Sequence, residues 1–323
     1  MERSLEYVKY ADLIVLVADG AVGILKEEEA FLEEVKNAGK KYIVVGNKSD
    51  SIKSDKAFED IEIYVSALYD RNIDELKELM AKLLSEGKRE KTILGDLVKP
   101  KDMVLLVTPI DASAPKGRLI LPQQQVIREI LDRHAVALTV QTEEIPGVLE
   151  KVGENISLVI CDSQVFNKVS KIIPEDIALT SFSILFANYK GDLKTLYQGT
   201  RELSRLRDGD RILISEGCTH HRQCEDIGTV KIPGWVREFA KKNPDFKGVK
   251  DLEFSFTSGG DFPKELNEYK LVIHCGGCML NPNQMKSRMD YAKGCEIPIT
   301  NYGMAIAYMN GILERATKAL KIS

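Results

Sequence analysis

Short apolar runs alternate with segments of helical period along almost the whole chain. Leu13–Val17, Tyr42–Val45 and Val104–Val107 are continuous runs of mostly aliphatic residues, which is typical of strands buried on both faces of a parallel sheet. Between such runs, Glu27–Ala38 and Asn72–Leu84 repeat apolar positions at helical spacing. The pattern therefore predicts an α/β protein built from parallel sheets.

The same alternation continues to the end of the chain. Further strands are predicted at Glu62–Val65, Val136–Val140, Leu158–Cys161, Ser183–Phe186, Arg211–Ser215, Leu252–Ser255, Leu271–His274 and Ile297–Thr300. Further helices are predicted at Gln123–His134, Gly147–Val152, Gln164–Ile172, Leu193–Arg207, Trp235–Lys242, Pro282–Ala292 and Met304–Leu320. A charged stretch at Glu86–Lys91 is typical of a linker, and we expect three domains, over residues 1–90, 91–176 and 177–323.

Length and composition narrow the class of protein. The 323 residues are 44% hydrophobic and 29% charged, as in ordinary globular proteins. The net charge of -4 argues against a nucleic-acid-binding protein, which usually carries a basic surplus. The longest apolar run, Leu13–Ala18, is far shorter than the roughly 20 residues that a membrane span needs. Without a secretory signal at the N-terminus, we expect a cytoplasmic protein that binds neither nucleic acid nor membrane.

The tetrapeptide Asn47-Lys48-Ser49-Asp50 follows a predicted strand and matches the Asn-Lys-x-Asp motif of GTP-binding proteins. The Asp50 carboxylate can accept two N–H bonds from a guanine edge, and Asn47 and Lys48 would flank the base. Ser66-Ala67, after the next strand, is similar to the second guanine loop of such proteins. A solvated turn would explain the four residues alone, but the two loops together favour guanine binding.

The phosphate-binding half of a GTPase is missing from the pattern. No G-x-x-x-x-G-K-[ST] segment occurs, so the chain offers no phosphate cradle. We therefore expect the first domain to be a truncated P-loop GTPase-type sheet, and we expect no GTP hydrolysis by the chain as written.

Cysteine and histidine cluster at two places in the last third of the chain. Cys218-Thr219-His220 follows the strand predicted at Arg211–Ser215, and His274-Cys275-Gly276-Gly277-Cys278 ends the strand predicted at Leu271–His274. Because strand carboxyl ends share one edge of an α/β sheet, we expect both clusters to line one crevice. The two glycines between the cysteines leave backbone N–H groups free to point at anionic sulfur.

Three kinds of site are compatible with these residues. Three thiolates with one open position suit an iron–sulfur cluster. Zinc would take four closed ligands from Cys218, His220 or His274, Cys275 and Cys278. A Cys-x-x-Cys redox dithiol is the third alternative. Two Cys/His clusters argue against a set of plain core cysteines, and the three thiols with the Gly-Gly spacer favour iron–sulfur. Cys224 and Cys295 are weaker candidate ligands, and Cys161 is expected in the core.

The two Cys/His clusters are Cys218-x-His220 and His274-Cys275-x-x-Cys278, with 53 residues between them. Together they resemble the cluster motif of the [FeFe]-hydrogenase maturation GTPase family, the scaffold maturases. Three further segments resemble that family: Ala114–Gln125, Asp226–Pro233 and Pro298–Gly303. The resemblance implies a GTPase domain, a dimerisation domain and a Rossmann-like cluster-binding domain, in that order.

The resemblance also implies a cofactor, a cargo and partners. Cys218, Cys275 and Cys278 would bind a [4Fe-4S] cluster, with His220 and His274 near an exchangeable fourth site. The family carries a di-iron precursor bearing CO, cyanide and a dithiolate bridge, which two radical-SAM maturases supply, and hands it to the [FeFe]-hydrogenase apoprotein. GTP with Mg²⁺ acts as a regulator, and the middle domain forms a homodimer or a higher oligomer.

A second function from a different class stays open at this point. A zinc-containing structural or regulatory GTP-binding protein would use the same cysteines and histidines without iron chemistry. The middle domain contains no titratable constellation, and its turn-rich segment Asp111–Gly117 suits an interaction surface.

Overall fold

The structure is a computed structural model of the chain. It describes residues 7–8, 10–52, 58–85, 91–110, 119–217, 226–242, 249 and 251–320. The chain divides into two compact units, residues 1–90 and residues 91–323, and each is described by itself.

The first unit contains a three-stranded parallel sheet of order β1-β2-β3. Its elements are β1 (Ile14–Asp19), α1 (Lys26–Asn37), β2 (Tyr42–Asn47), β3 (Ile63–Tyr64) and α2 (Ile73–Ser85). The central strand β2 is buried on both faces, since Ile43, Val44 and Val45 are all at most 2% exposed. This burial explains why its sequence is a continuous aliphatic run rather than an alternating one.

The second unit begins with a four-stranded parallel sheet of order β5-β4-β6-β7. Its elements are β4 (Met103–Val107), α3 (Leu121–Asp132), β5 (Val136–Val140), α4 (Ile145–Val152), β6 (Ile156–Cys161), α5 (Phe166–Ile172) and β7 (Ala178–Ser181). The strand β7 extends this sheet beyond residue 176. Two helices follow it, α6 (Phe182–Lys190) and α7 (Leu193–Gly199).

The second unit ends with another four-stranded parallel sheet, of order β11-β10-β8-β9. Its elements are β8 (Arg211–Ser215), α8 (Ile232–Lys242), β9 (Glu253–Thr257), β10 (Leu271–His274), α9 (Pro282–Gly294), β11 (Ile299–Asn301), α10 (Tyr302–Met309) and α11 (Leu313–Lys318). One hydrophobic core joins the two sheets, because residues from β6, α6, β10 and α9 belong to the same buried cluster.

The α/β class and the parallel sheets are confirmed, with three sheets in the described part of the chain. The strand predicted at Ser183–Phe186 is wrong, because these residues lie in the helix α6. A short run that is apolar on every side fits a buried helix as well as a strand. Ser181 decides between them: its side chain accepts a hydrogen bond from the backbone N–H of Ile184 and caps the helix.

The close packing of α7 against β11 generates a stability prediction. A Cβ atom added at Gly199 would lie 2.0 Å from the carbonyl oxygen of Ile299. Both partners are backbone, so Gly199→Ala should lower the free energy of unfolding by about 3 kcal/mol. Urea unfolding followed by the fluorescence of Trp235, the single tryptophan, measures the effect in the second unit.

Gly147→Ala is the matched control. Gly147 lies in α4 with no atom within 4 Å of an added Cβ. Alanine there should stabilise the helix by roughly 0.5–1 kcal/mol. Equal stability for the Gly199 variant and the native chain would show that the α7–β11 contact is not close-packed.

Candidate functional site

The two strands that carry the predicted ligands lie side by side. β8 and β10 pair in parallel, with His274 opposite Ser215. The pairing continues one residue further, because the backbone N–H of Cys275 donates to the carbonyl of Ser215 at 2.8 Å. Cys275 therefore leaves the sheet at the same edge as Glu216 and Gly217, which follow β8.

The Cys275 sulfur receives two backbone N–H groups. The N–H of Gly217 lies 3.1 Å from it and the N–H of Gly277 lies 3.3 Å from it. Gly277 has a φ of +63°, a conformation that favours glycine and turns its N–H back toward the sulfur. Burial raises the pKa of the Cys275 thiol to about 11, while the two N–H donors act in the opposite direction. The arrangement is a small nest of the kind that accepts anionic sulfur.

We call Cys275–Leu280 the cysteine loop. Cys278, its second thiol, is partly buried. The loop leads directly into α9, where the Asn281 side chain accepts from the Gln284 N–H at 2.8 Å and the Gln284 side chain accepts from the Asn281 N–H at 3.0 Å. This reciprocal cap fixes the angle at which the loop enters the helix.

Lys190, at the end of α6, binds the outer side of the cysteine loop. Its Nζ atom donates to the carbonyl oxygens of Gly277, Cys278 and Leu280, each at 2.8 Å. Burial lowers the pKa of Lys190, and the charges of Cys278 and Cys275 raise it. Sequence reasoning missed this residue, since it lies almost ninety positions before the loop and in no motif.

His274 is fully buried beneath the loop, and both of its ring nitrogens are engaged. Nδ1 lies 2.8 Å from the carbonyl oxygen of Cys275, and Nε2 lies 2.9 Å from a guanidinium nitrogen of Arg288. Burial lowers the pKa of His274 to about 4, so the ring is neutral at neutral pH. In this arrangement Nδ1 donates to the carbonyl and Nε2 accepts from Arg288, which leaves neither nitrogen facing a metal.

Arg288 and Glu216 are further buried charged residues beside the loop that sequence reasoning missed. Arg288 also donates to the carbonyl of Gly259 at 2.6 Å and stacks over Phe262. Glu216 accepts a hydrogen bond from the Tyr302 hydroxyl at 3.2 Å. No spacing rule signals either residue, because each is recruited by packing from a different element.

The structure brings His274, Cys275 and Cys278 to one edge of the third sheet. Cys218 and His220 lie outside the described residues, as do Cys224 and the segment Asp111–Gly117. Within the residues that are described, no group of three or more Cys, His, Asp or Glu is arranged to hold a metal.

Two other cysteines have clear positions. Cys161 is fully buried in the core, which confirms its predicted place. Cys295 is partly buried just beyond the end of α9. Neither belongs to the cysteine loop.

The guanine motif forms one connected hydrogen-bonded structure at the carboxyl ends of β2 and β3. The Asn47 side-chain oxygen accepts from the backbone N–H of Lys48 at 2.8 Å and from that of Ala67 at 3.1 Å. The Ser66 hydroxyl donates to the Asp50 carboxylate. The backbone N–H of Ser49 donates to the carbonyl of Val65 at 3.0 Å. The two loops predicted to meet around guanine are therefore adjacent.

The charges of this motif are held in place. The hydrogen bond from Ser66 lowers the pKa of Asp50, which is exposed and so available as an anionic acceptor. Lys48 forms an ion pair with Asp19 at 2.8 Å, from the end of the neighbouring strand β1. Lys48 itself has a φ of +62°, which starts the turn that presents Asp50.

Comparison with known proteins assigns most of the second unit to two known domain families. Residues 93–191 match the Hydrogen maturase F dimerization domain, and residues 194–319 match the Hydrogen maturase F tetramerization domain. The chain belongs to the hydrogen maturase F family. The family resemblance inferred from the cysteine and histidine spacing is thereby confirmed, and its two matched domains indicate self-association.

The chain is also distantly similar to several GTPases. It is 35% identical over 31% of its length to GTPase Der of Pseudothermotoga lettingae. It is 38% identical over 27% of its length to tRNA modification GTPase MnmE of Thermosipho melanesiensis, and 28% identical over 31% to GTPase Era of Clostridium kluyveri. The matches span 25%, 19% and 41% of those relatives' own lengths. They indicate a GTPase-like region in this chain.

The helices of the described residues are all too short or too polar to cross a bilayer. This agrees with the absence of a long apolar run in the sequence.

Proposed function

We propose that this chain is a scaffold for [FeFe]-hydrogenase maturation. It binds a [4Fe-4S] cluster at the cysteine loop, carries a di-iron precursor from radical-SAM maturases and delivers it to the hydrogenase apoprotein in the cytoplasm. The observation that carries the proposal is the pair of N–H groups aimed at the Cys275 sulfur, in a chain of this family.

The donor set of the loop fits an iron–sulfur cluster. Cys275 and Cys278 lie on a turn whose N–H groups can stabilise thiolate and sulfide charge, and Cys218 follows Gly217, one of the two N–H donors. These three cysteines would hold the cluster. When bound through three cysteines only, a [4Fe-4S] cluster offers one iron to a donor atom from a cargo. Because burial keeps the metal-free Cys275 thiol protonated, ligation releases a proton.

The two histidines have separate roles in the proposal. His274 supports the loop from beneath, since its contacts with Cys275 and Arg288 occupy both ring nitrogens. His220 follows Cys218 by two positions and stays a candidate for the exchangeable site.

The first unit would bind guanine through its two loops. Asp50 would accept the N–H groups of the guanine edge, as its lowered pKa and its exposure allow. The hydrogen bonds among Asn47, Ala67, Ser66 and Asp50 hold the loops ready for this contact. In full-length members of the family, GTP with Mg²⁺ would act as a regulator of the scaffold.

The second sheet would form the dimer through β5. β5 is an edge strand, and no described strand pairs with its outer side. Helix α11 packs against β7, at the opposite edge. An open strand edge is a template for pairing with a second copy, and Val136 on β5 is 43% exposed.

Cys275→Ser and Cys278→Ser should each abolish stable cluster binding, because serine replaces one of the proposed thiolate ligands. After anaerobic reconstitution we expect about four iron atoms per native chain and less than about one per variant. Iron and sulfide analysis with visible absorption measures the difference. Cys295→Ser is the matched control and should keep the native iron content. A colourless native protein with about one zinc per chain would instead support the zinc-containing alternative.

Asp50→Asn should change the base preference of the first unit. An Asn amide N–H opposes the N2 amino group of guanine but matches the C2 carbonyl of xanthine. In NMR titrations we expect guanosine, not adenosine, to shift the backbone signals of Asp50, Ser66 and Ala67 in the native chain. The variant should respond to xanthosine instead. Asp74→Asn, on the exposed face of α2, should leave the guanosine response intact; shifts from all nucleosides alike would argue against a guanine site.

Val136→Lys should weaken self-association, because a lysine on an edge strand opposes strand-to-strand pairing. We expect the apparent dissociation constant of the dimer to rise by about tenfold or more, measured by size-exclusion chromatography with light scattering. Leu68→Lys, on an exposed residue of the first unit, is the control. If both variants associate like the native chain, the dimer uses another surface.

A further inference from the structure

Lys190 occupies an unusual position for a lysine. It is the last residue of α6, within the region that matches the dimerization domain, and it contacts a loop of the tetramerization region. An ammonium group has three N–H donors, and Nζ points toward three carbonyl oxygens of the cysteine loop at equal distances of 2.8 Å. Each of the three N–H donors of the Lys190 ammonium thus has one carbonyl acceptor in the loop.

Those three acceptors define the shape of the cysteine loop. They belong to Gly277, Cys278 and Leu280. The contact therefore extends from the glycine before the second cysteine, through that cysteine, to the last loop residue before α9. Within the loop, the Gly277 N–H donates to the Cys275 sulfur and the Leu280 N–H donates to the Gly277 carbonyl at 3.1 Å. Lys190 therefore adds three hydrogen bonds from a separate helix to the carbonyl groups of this turn.

The lysine also places a positive charge against the cysteine loop, where it interacts electrostatically with both cysteines. Its ammonium lies 5.3 Å from the centre of the Phe186 ring, on the same helix, which shields it from water on that side. Partial burial strengthens the electrostatic effect of the charge on nearby anions. Thiolate and sulfide groups are such anions.

We propose that Lys190 is a positioning residue for the thiolate ligands: it shapes the cysteine loop and holds a positive charge next to Cys275 and Cys278. The role of the positive charge rests on the proposed cluster-binding function. The role of Lys190 in shaping the loop does not, because the same hydrogen bonds form in the metal-free chain. Lys190 thereby makes the ligand geometry depend on a helix of the dimerization region.

The test uses the full chain with three substitutions. Lys190→Met removes the ammonium and keeps an unbranched apolar stem, whereas Lys190→Arg restores the charge. Lys194→Met, at an exposed position on the next helix, is the matched control. Hydrogen exchange of the metal-free, reduced chain is followed by mass spectrometry on peptides covering residues 275–281, and on peptides from α6 and β10 as a check of folding.

In the metal-free chain, Lys190→Met should speed exchange in the cysteine loop by about tenfold, because three hydrogen bonds to a charged donor are lost. Exchange in β10 should be unchanged, Lys190→Arg should show a smaller effect, and Lys194→Met none. Native exchange in the loop of Lys190→Met would overturn the positioning role. This measurement needs no cluster and stands even if the native chain binds none.

A second measurement tests the charge. After reconstitution, removal of a nearby positive charge should make the cluster harder to reduce, so Lys190→Met should have a more negative reduction potential than the native chain in an EPR-monitored titration. Lys190→Arg should restore the native value. Equal potentials for the Met and Arg variants would overturn the electrostatic role, whereas a native chain that takes up no iron would overturn the proposed function.

Discussion

The second unit depends on helix α6, which holds the carboxyl ends of two sheets together. The helix follows β7 without a break, and Ser181 at that junction caps it through the N–H of Ile184. In its first turn, the backbone carbonyl of Ser183 accepts from the side-chain amide of Asn301 at 2.9 Å, at the end of β11. Its last residue, Lys190, binds the cysteine loop. A nine-residue helix thus fixes the second sheet to the third.

Burial on all sides makes that attachment rigid. Five of the nine residues of α6 are buried: Phe182, Ile184, Leu185, Phe186 and Ala187. Each large apolar side chain removed from water contributes about 1.5–3 kcal/mol, and a core of normal density resists the displacement of a helix. The position of the Lys190 ammonium is consequently set by the core of the unit. Its three hydrogen bonds in turn fix the position of the cysteine loop relative to that core.

The sequence was sufficient where an element buries a continuous aliphatic run or where contacts are local. β8 and β10 lie at the predicted residues, because parallel strands buried on both faces have a distinct pattern. Ser183–Phe186, within α6, was predicted as a strand, because the apolar residues of this helix fill all sides and carry no period. Lys190 and Arg288 could not be predicted, since packing between distant elements brings them to the loop and the motif contains neither.

The contrast between the two candidate sites follows from the same reasoning. The guanine loops are joined by hydrogen bonds between adjacent strand ends, so the motif Asn47–Asp50 and the pair Ser66-Ala67 contain nearly everything that shapes them. The cysteine loop is different, because burial raises the cost of a thiolate at Cys275. The N–H of Gly277 in the turn and the N–H of Gly217 after β8 offset part of that cost, and the cation that adds to them comes from α6. A Cys-x-x-Cys motif specifies the ligands, whereas the electrostatic environment that suits them to an anionic cluster is a property of the assembled unit.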